Sequence, residues 1–366
     1  MSLLRRAATP PHRLLSRGND WLIRSAASLL MLVALTMGAA RSDAVSDFYR
    51  GRSVNLIVGY GPGGYDLSAR LLARHMGRHI PGSPNVVVQN MPGGGSLRAA
   101  NFLYTVAPKD GATIGAFGRD MPLAAALGDI SGVRFDPRKF VWLGSLSSFV
   151  NDAYLLMMRT DAPVKSIEDA RRPGGPPLVL GGSAEGSSVS DVPELLRHAL
   201  GFNIRLVNGY DANAIFLAVD RGEVQGRTVD LASIRALHPD WLKLGGGMHA
   251  LVQFARVARH PDFPDVPTAR ELATSKTARA LIELAEQPYL MARPFVAPPG
   301  TPADRAAALQ AAFLAVHSDP QFLAEAAQLS IELSPVGTEA VEQVIDKIAG
   351  APPGLLDQLR SALTGR

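Results

Sequence analysis

Short runs of apolar residues alternate along this chain with segments in which apolar residues recur every three or four positions. A bounded run of about four to eight apolar residues is typical of a buried strand, and the longer spacing is typical of a one-sided helix. Strand–helix alternation predicts α/β layers with mixed, mainly parallel sheets. The predicted strands are 55–58, 86–88, 113–117, 141–143, 153–158, 178–180, 204–207, 224–226, 250–254 and 294–297.

Segments with helical spacing lie between these strands, and such segments make up most of the last part of the chain. The helices predicted between strands are 67–77, 97–106, 166–170, 192–200 and 212–220. Farther on, Thr301, Pro302 and Asp304 predict a helix start, with Thr301 as N-cap and Pro302 at the first helical position. That helix should reach His317, and two more are predicted at 320–329 and from 338 onward.

The N-terminus has the pattern of a secretory signal. Five arginines (Arg5, Arg6, Arg13, Arg17 and Arg24) precede an apolar run at 26–37, and small residues follow, ending in Ala44. The run is shorter than the roughly 20 residues of a membrane span, although an uncleaved anchor remains the alternative. Residues 1–44 are therefore predicted to be a signal peptide, and the mature protein to be periplasmic.

Charge and cysteine content exclude several classes of protein. The chain has 37 basic and 33 acidic residues, a net charge of +4. The leader contributes six arginines and two aspartates, which is also +4, so the mature chain is formally neutral and no nucleic-acid partner is expected. The absence of cysteine excludes disulfides, thiolate metal sites and a cysteine nucleophile.

Two glycine-rich turns follow predicted strands and open predicted helices. The first is Tyr60-Gly-Pro-Gly-Gly-Tyr-Asp66, and the second runs from Asn90 to Ser96. A helix that begins in this way presents free backbone N–H groups and the positive end of its dipole, which together suit an anion. Backbone binding of a negatively charged ligand is therefore predicted.

The first turn also fits the dinucleotide-binding pattern G-x-G-x-x-G through Gly59, Gly61 and Gly64. That fold needs an acidic residue at the end of the next strand to hold the ribose. Here the next strand ends in Gln89 and Asn90, and Pro62 interrupts the turn. A nicotinamide-dependent oxidoreductase remains only a third hypothesis, and no cofactor is predicted.

Two further turns carry candidate side chains. Ser183, Ser187 and Ser188 lie in a small-residue loop after the strand 178–180, and Tyr210 precedes another helix. The loop resembles the G-x-S-x-G elbow of hydrolases but lacks its closing glycine. A secreted α/β hydrolase using Ser183 or Ser187 is therefore the alternative to a hydroxyl-rich binding loop.

His75 and His79 stand four residues apart on a predicted helix, a spacing that can hold a metal. Arginines flank them and no acid or cysteine is nearby in the sequence. They are interpreted as part of a solvated helix face, and no metal site is predicted.

Six segments in order resemble one family. They are 58–70, 89–96, 209–210, 217–227, 264–268 and 293–302. The chain is similar over its mature length to the periplasmic substrate-binding receptors of tripartite tricarboxylate transporters, also called Bug receptors. The resemblance implies a periplasmic-binding-protein type II (Venus flytrap) fold, with a ligand cleft between two α/β domains.

The resemblance also implies domain boundaries and site residues. Domain 1 would comprise 45–147 and 254–366, and domain 2 would comprise 148–253. In this family two glycine turns hold a ligand carboxylate, partly through water, and the second domain supplies the opposite wall. The residues implied are Tyr60, Gly61, Gly63, Gly64, Asn90, Gly94, Gly95, Ser96, Ser183, Ser187, Ser188, Tyr210 and Asp230.

The first turn departs from the family pattern, because only Gly63 and Gly64 precede Tyr-Asp where relatives usually carry three glycines. Asp66 is interpreted as a structural N-cap. The sequence thus predicts a non-enzymatic, monomeric receptor for a small organic acid, which helix N-termini recognise without a dedicated arginine and which is passed to a membrane permease.

Overall fold

Two five-stranded sheets organise the chain. The structure is a computed structural model, and it describes residues 44–128, 132–211 and 213–364. The predicted signal peptide lies outside the described residues, apart from Ala44. Within the described residues, no helix is long and apolar enough to cross a membrane.

The first sheet has the strand order β2-β1-β3-β10-β4. Its strands are β1 (Ser53–Val58), β2 (Asn85–Asn90), β3 (Thr113–Ala116), β4 (Val141–Ser145) and β10 (Pro294–Ala297). β1 pairs in parallel with β2 and β3, whereas β10 pairs antiparallel with β3 and β4. Buried apolar side chains such as those of Leu56 and Val58 explain the pattern that predicted this sheet.

The second sheet has the order β7-β6-β8-β5-β9. Its strands are β5 (Tyr154–Arg159), β6 (Leu178–Gly181), β7 (Ile204–Val207), β8 (Gly226–Asp230) and β9 (Met248–Phe254). β6 pairs in parallel with β7 and β8, and β5 pairs antiparallel with β8 and β9. The predicted α/β fold with two mixed sheets is confirmed.

Helices follow most strands, and four helices close the chain. The helices are α1 (Gly64–Met76), α2 (Leu97–Thr105), α3 (Met121–Leu127), α4 (Ile167–Arg171), α5 (Ser188–Leu200), α6 (Ala214–Asp220), α7 (Leu231–Leu237), α8 (Ala269–Leu272), α9 (Lys276–Ala285), α10 (Ala303–Val316), α11 (Pro320–Gln328), α12 (Thr338–Ala349) and α13 (Pro353–Thr364). One hydrophobic cluster runs from Trp142 of the first sheet through Leu195 of α5 to Leu359 of α13. The C-terminal helix therefore packs on a helix of the second sheet, and the domain boundaries stay a prediction.

Two sequence predictions of local structure were wrong. The N-cap of α10 is Pro302, and the Thr301 hydroxyl instead donates to the Pro298 carbonyl at 2.8 Å. The strand predicted at 224–226 begins only at Gly226, because pairing with β5 runs from Gly226 to Asp230. The polar residues Arg227 and Thr228 had hidden that strand from the apolar pattern.

His75 and His79 do not form a solvated face. His75 is 7% exposed, and its Nε2 lies 2.5 Å from Glu325 of α11. His79 Nε2 lies 2.9 Å from Asp319, which caps the same helix. The pair thus joins α1 to α11, and a local pattern could not show it because both acids lie far along the chain. No group of three or more metal-binding side chains occurs among the described residues.

The chain leaves the first sheet after Ser145 and returns from the second sheet after Phe254. A buried carboxylate supports the return segment: Glu286 accepts from the Ala255 N–H at 2.8 Å, and the Arg270 Nε also donates to it. Ala255 has a positive φ of 66°. Burial raises the pKa of Glu286 to about 7, although the charge of Arg270 opposes that rise.

As the pH rises from about 4.5 to neutral, the ionisation of Glu286 should make the folded protein less stable. A carboxyl whose pKa is higher in the folded state binds its proton more tightly there, so its contribution to stability is complete below pH 4.5 and lost as the pH rises through about 7. The loss is up to about 1.4 kcal/mol per pH unit.

Urea unfolding from pH 4.5 to 8 should show this slope in the wild type and a weaker slope in Glu286→Gln. Glu342→Gln, the same change at an exposed carboxylate of α12, is the control. Equal slopes in wild type and Glu286→Gln would contradict the assignment.

Candidate functional site

A cavity of about 70 Å³ lies where the carboxyl ends of strands from both sheets meet. Ligands of open α/β sheets bind at such strand ends. Loops of the first sheet contribute Tyr60, Gly61, Gly63, Gly64, Tyr65, Arg119 and Asp120. Residues of the second sheet and its loops and helices contribute Tyr154, Ser183, Ser187, Ser188, Val189, Asn213, Phe216, Arg227, Val229, Asp230 and Ser233.

The first wall is the N-terminus of α1, which has no side-chain cap. Gly63 has a φ of 155°, and a Cβ at Gly64 would lie 2.6 Å from Ser233 Oγ on the opposite wall. Only glycine allows this close approach. The first turn of α1 therefore faces the cavity with backbone N–H groups that no side chain satisfies.

Arg227 of β8 supplies a buried cation. Its side chain lies over Phe216, with the guanidinium carbon 4.2 Å from the ring centre, and the residue is 3% exposed. Burial lowers the pKa of Arg227 to about 10, so it stays protonated at neutral pH. Its Nη1 is buried without a hydrogen-bond partner. A buried donor without a partner is costly unless a ligand or water accepts from it.

Arg119 is a second buried arginine, and the protein itself accepts two of its hydrogen bonds. Its Nη1 donates to the Ala292 carbonyl at 3.1 Å, and its Nε donates to Ser188 Oγ at 3.4 Å. The guanidinium carbon lies 4.6 Å from the ring centre of Tyr289 and 4.9 Å from that of Phe149. Arg119 is thus held by aromatic faces and backbone, and it forms a wall of the cavity.

Two carboxylates complete the charged lining. Asp120 accepts from the Ser188 hydroxyl at 2.7 Å and from its N–H at 3.2 Å, and burial raises the pKa of Asp120 despite the nearby Arg119. Asp230 caps α7 through the Ser233 N–H at 2.8 Å and pairs with Arg293 at 2.9 Å. Burial opposes ionisation of Asp230, but the arginine charges outweigh it and lower its pKa to about 2.

The family model described as "Tripartite tricarboxylate transporter family receptor" matches residues 69–349, more than half of the chain. The chain belongs to the tripartite tricarboxylate transporter receptor family. The predicted resemblance is confirmed. The family consists of receptors, so the protein is a solute-binding receptor and not an enzyme.

Individual relatives agree with the family match. The chain is 26% identical over 304 residues to a UPF0065 protein of Bordetella pertussis, covering 80% of this chain and 84% of the relative. Its structure is similar to that of the periplasmic binding protein BugD, with a TM-score of 0.66 and 20% identity over 86% of this chain and 98% of that one. It is also similar to MatC from Rhodopseudomonas palustris with bound malate, with a TM-score of 0.62 and 21% identity over 85% and 99% of the two chains.

The surroundings of Ser183 and Ser187 do not support the hydrolase alternative. Ser187 Oγ donates to the Ala184 carbonyl at 2.6 Å, and the Ser183 N–H donates to Ser190 Oγ at 2.9 Å. No histidine is among the described residues that line the cavity. A serine nucleophile requires an adjacent base, so neither serine is arranged as one.

The structure brings part of the predicted site together. Eight of the predicted residues line the cavity: Tyr60, Gly61, Gly63, Gly64, Ser183, Ser187, Ser188 and Asp230. Asn90, Gly94, Gly95, Ser96 and Tyr210 are not among the lining residues. Tyr210 instead directs its hydroxyl to Glu223 at 3.3 Å. The ligand contacts of the eight remain a prediction.

The second glycine turn supports the first and does not share the cavity with it. The Tyr60 hydroxyl donates to the Gly95 carbonyl at 3.2 Å, and Asn90 Nδ2 donates to the Tyr60 carbonyl at 2.8 Å. Asp66 is not the N-cap of α1, which is Gly63. The Asp66 carboxylate accepts from Asn90 at 2.7 Å and from Arg70 at 2.9 Å, so it ties α1 to the end of β2.

Sequence reasoning missed the charged residues of the cavity. It expected recognition without an arginine, whereas Arg119 and Arg227 both line the cavity. Arg119 and Asp120 come shortly after the predicted strand 113–117, so the strand-end rule could have found them. Arg227 had no such signal, because the strand that carries it was placed too early.

Proposed function

We propose that this receptor works in the periplasm, captures a small organic acid in the cavity between the two sheets and delivers it to the membrane permease of a tripartite tricarboxylate-type transporter. Residues 1–44 would serve as the cleaved signal peptide. Residues 45–147 with 254–366, and residues 148–253, would form the two domains that close around the ligand by a hinge motion. The receptor would act as a monomer.

The unpartnered Nη1 of Arg227 is the observation that carries this proposal. A ligand carboxylate placed there would accept a charge-assisted hydrogen bond, which is stronger than a neutral one. The uncapped N-terminus of α1 adds a second preference for negative charge. The malate-bound relative MatC supports an organic acid as the class of ligand.

Calorimetric titration of the purified mature protein should test the class of ligand. Dicarboxylates, tricarboxylates, amino acids and aromatic acids are compared with neutral sugars and with the methyl esters of the same acids. We expect binding by at least one free acid and none by its ester, because the ester cannot accept a charge-assisted hydrogen bond from Arg227. Binding of neutral sugars with no binding of any carboxylate would contradict the proposal.

A further inference from the structure

We propose that the cavity selects acids with a single carboxylate, and that Arg227 supplies the one positive charge available to balance it. This inference rests on the proposed function, since it concerns which acids the same cavity admits. It differs from the expectation raised by the family's name and by the malate-bound relative, both of which point to acids with several carboxylates.

Charge balance in the cavity leads to this conclusion. Two arginines and two aspartates line the cavity: Arg119, Arg227, Asp120 and Asp230. Arg293 stands just behind the lining and pairs with Asp230 at 2.9 Å. The three arginines therefore exceed the two aspartates by one.

Other buried carboxyls near the cavity cannot raise that excess. Asp152 accepts from the Ala153 and Ala232 N–H groups, and burial together with the charge of Asp230 raises its pKa to about 7. Asp191 accepts from the Gly186 N–H, and burial raises its pKa well above the usual range. Each can only be neutral or add negative charge, so with Asp120 and Asp230 ionised the cavity has room for at most one uncompensated anion.

The hydrogen bonds of the arginines also indicate one binding position for a ligand carboxylate. Arg293 donates to Asp230, and Arg119 donates to the Ala292 carbonyl and Ser188. Among the side-chain atoms of the described lining residues, the Nη1 of Arg227 is the buried donor that has no partner. A first carboxylate can bind there, whereas the guanidinium groups of Arg293 and Arg119 already donate in part to Asp230, the Ala292 carbonyl and Ser188.

Water cannot easily screen a second carboxylate, because the cavity is small. Its volume is about 70 Å³, which leaves room for only a few water molecules. The walls touch across it, since Asn213 Nδ2 donates to the Pro62 carbonyl and the Ser188 hydroxyl donates to Asp120. A charge buried without a partner is strongly disfavoured.

The remaining surface of the cavity suits a ligand that is uncharged apart from its one carboxylate. Aromatic and aliphatic side chains provide it: Tyr60, Tyr65, Tyr154, Val189, Phe216 and Val229. Ser183 and Ser187 add hydroxyls without charge. The ligand class is thus a small monocarboxylate whose other end is apolar or carries neutral hydrogen-bonding groups.

Matched ligand pairs test the inference. Calorimetry at pH 6.5, where Asp152 is still largely protonated and the diacids are largely ionised, compares each linear diacid of three to six carbons with its monoamide, and phthalate with benzoate. The two members of an aliphatic pair have the same size and differ by one charge. We expect the singly charged member of the best-binding pair to bind at least ~10-fold tighter, a difference of about 1.4 kcal/mol.

Removing one negative charge from the lining should shift that preference. Asp120→Asn keeps an oxygen that can accept from Ser188 but raises the positive excess by one. We expect the ratio of monoamide to diacid affinity to fall by about 10-fold or more in this variant. Glu185→Gln, which changes an exposed carboxylate in the same loop as Ser183, should leave the ratio unchanged.

The outcomes separate this inference from the proposed function. A diacid that binds as tightly as its monoamide, or tighter, would overturn the inference and leave the carboxylate receptor intact. An unchanged ratio in Asp120→Asn would also count against it. If no member of any pair and no other carboxylate binds, the proposed function itself fails.

Discussion

Replacing Arg227 by methionine should abolish tight binding of every carboxylate that the receptor accepts, with a loss of affinity of roughly 30-fold or more. The reason is that Arg227 lines the cavity, is 3% exposed, and has a buried Nη1 without a hydrogen-bond partner. An anion bound there would lose its charge-assisted partner in a site from which water is largely excluded. Titration calorimetry of wild type and variant with the same acid measures the loss.

The fold of Arg227→Met should survive, which makes the result interpretable. Without a ligand, Arg227 is a buried cation whose Nη1 has no partner, so a neutral side chain of similar length removes a cost from the empty protein. We expect the thermal unfolding temperature of the empty variant to equal or exceed that of the wild type. Arg205→Met, at an exposed arginine of the neighbouring strand β7, controls for loss of positive charge. Unchanged affinity in Arg227→Met would show that the anion binds elsewhere.

The second large effect is expected for Arg293→Met, which should destabilise the folded protein by about 3–5 kcal/mol at pH 7. Arg293 is 6% exposed and donates to Asp230 at 2.9 Å. Removing it leaves the Asp230 carboxylate buried beside Asp152 with much less compensation. The change in free energy of unfolding is obtained from urea denaturation.

The pH dependence and a double variant identify the cause. In the wild type the pKa of Asp230 is lowered to about 2, so its stabilising contribution is present at neutral pH and lost only as the pH falls through that value. In Arg293→Met the Asp230 carboxyl can take up a proton at higher pH. The loss in free energy of unfolding relative to the wild type should therefore be smaller at pH 4 than at pH 7. The double variant Asp230→Asn with Arg293→Met should recover much of the lost stability. A deficit that is independent of pH and persists in the double variant would point to lost packing against Tyr65.

The layers of the fold could be predicted because their signals are local. Apolar runs such as those of β1 and β6 are buried on both faces, and a parallel sheet covered by helices requires this pattern. The sequence of β8 shows this apolar run less clearly, because Arg227 and Thr228 interrupt its apolar residues. Its placement depended on pairing with β5, which lies far away in the sequence.

Half of the candidate site could be predicted for the same reason. The turn at Gly61–Gly64 is a local pattern, so its residues alone predict a helix start without a side-chain cap, which is the kind of position that suits an anion. The second glycine turn has the same local pattern, yet Tyr60 and Asn90 use it to hold the first turn in place. Which of two similar turns lines the cavity is decided by how the strands are arranged in space.

The sequence by itself determined the α/β class, the glycine turn at Gly63 and Gly64 that opens a helix, and the resemblance to the receptor family. Each of these depends on residues that are neighbours along the chain or on motifs in a fixed order. Only the tertiary structure decided which charges the cavity contains. Arg227 and Asp230 lie on β8, Arg119 lies in the turn after β3, and Arg293 lies on the return segment just before β10. Their balance depends on burial and on distances across the cavity, and neither quantity is encoded in spacing along the chain.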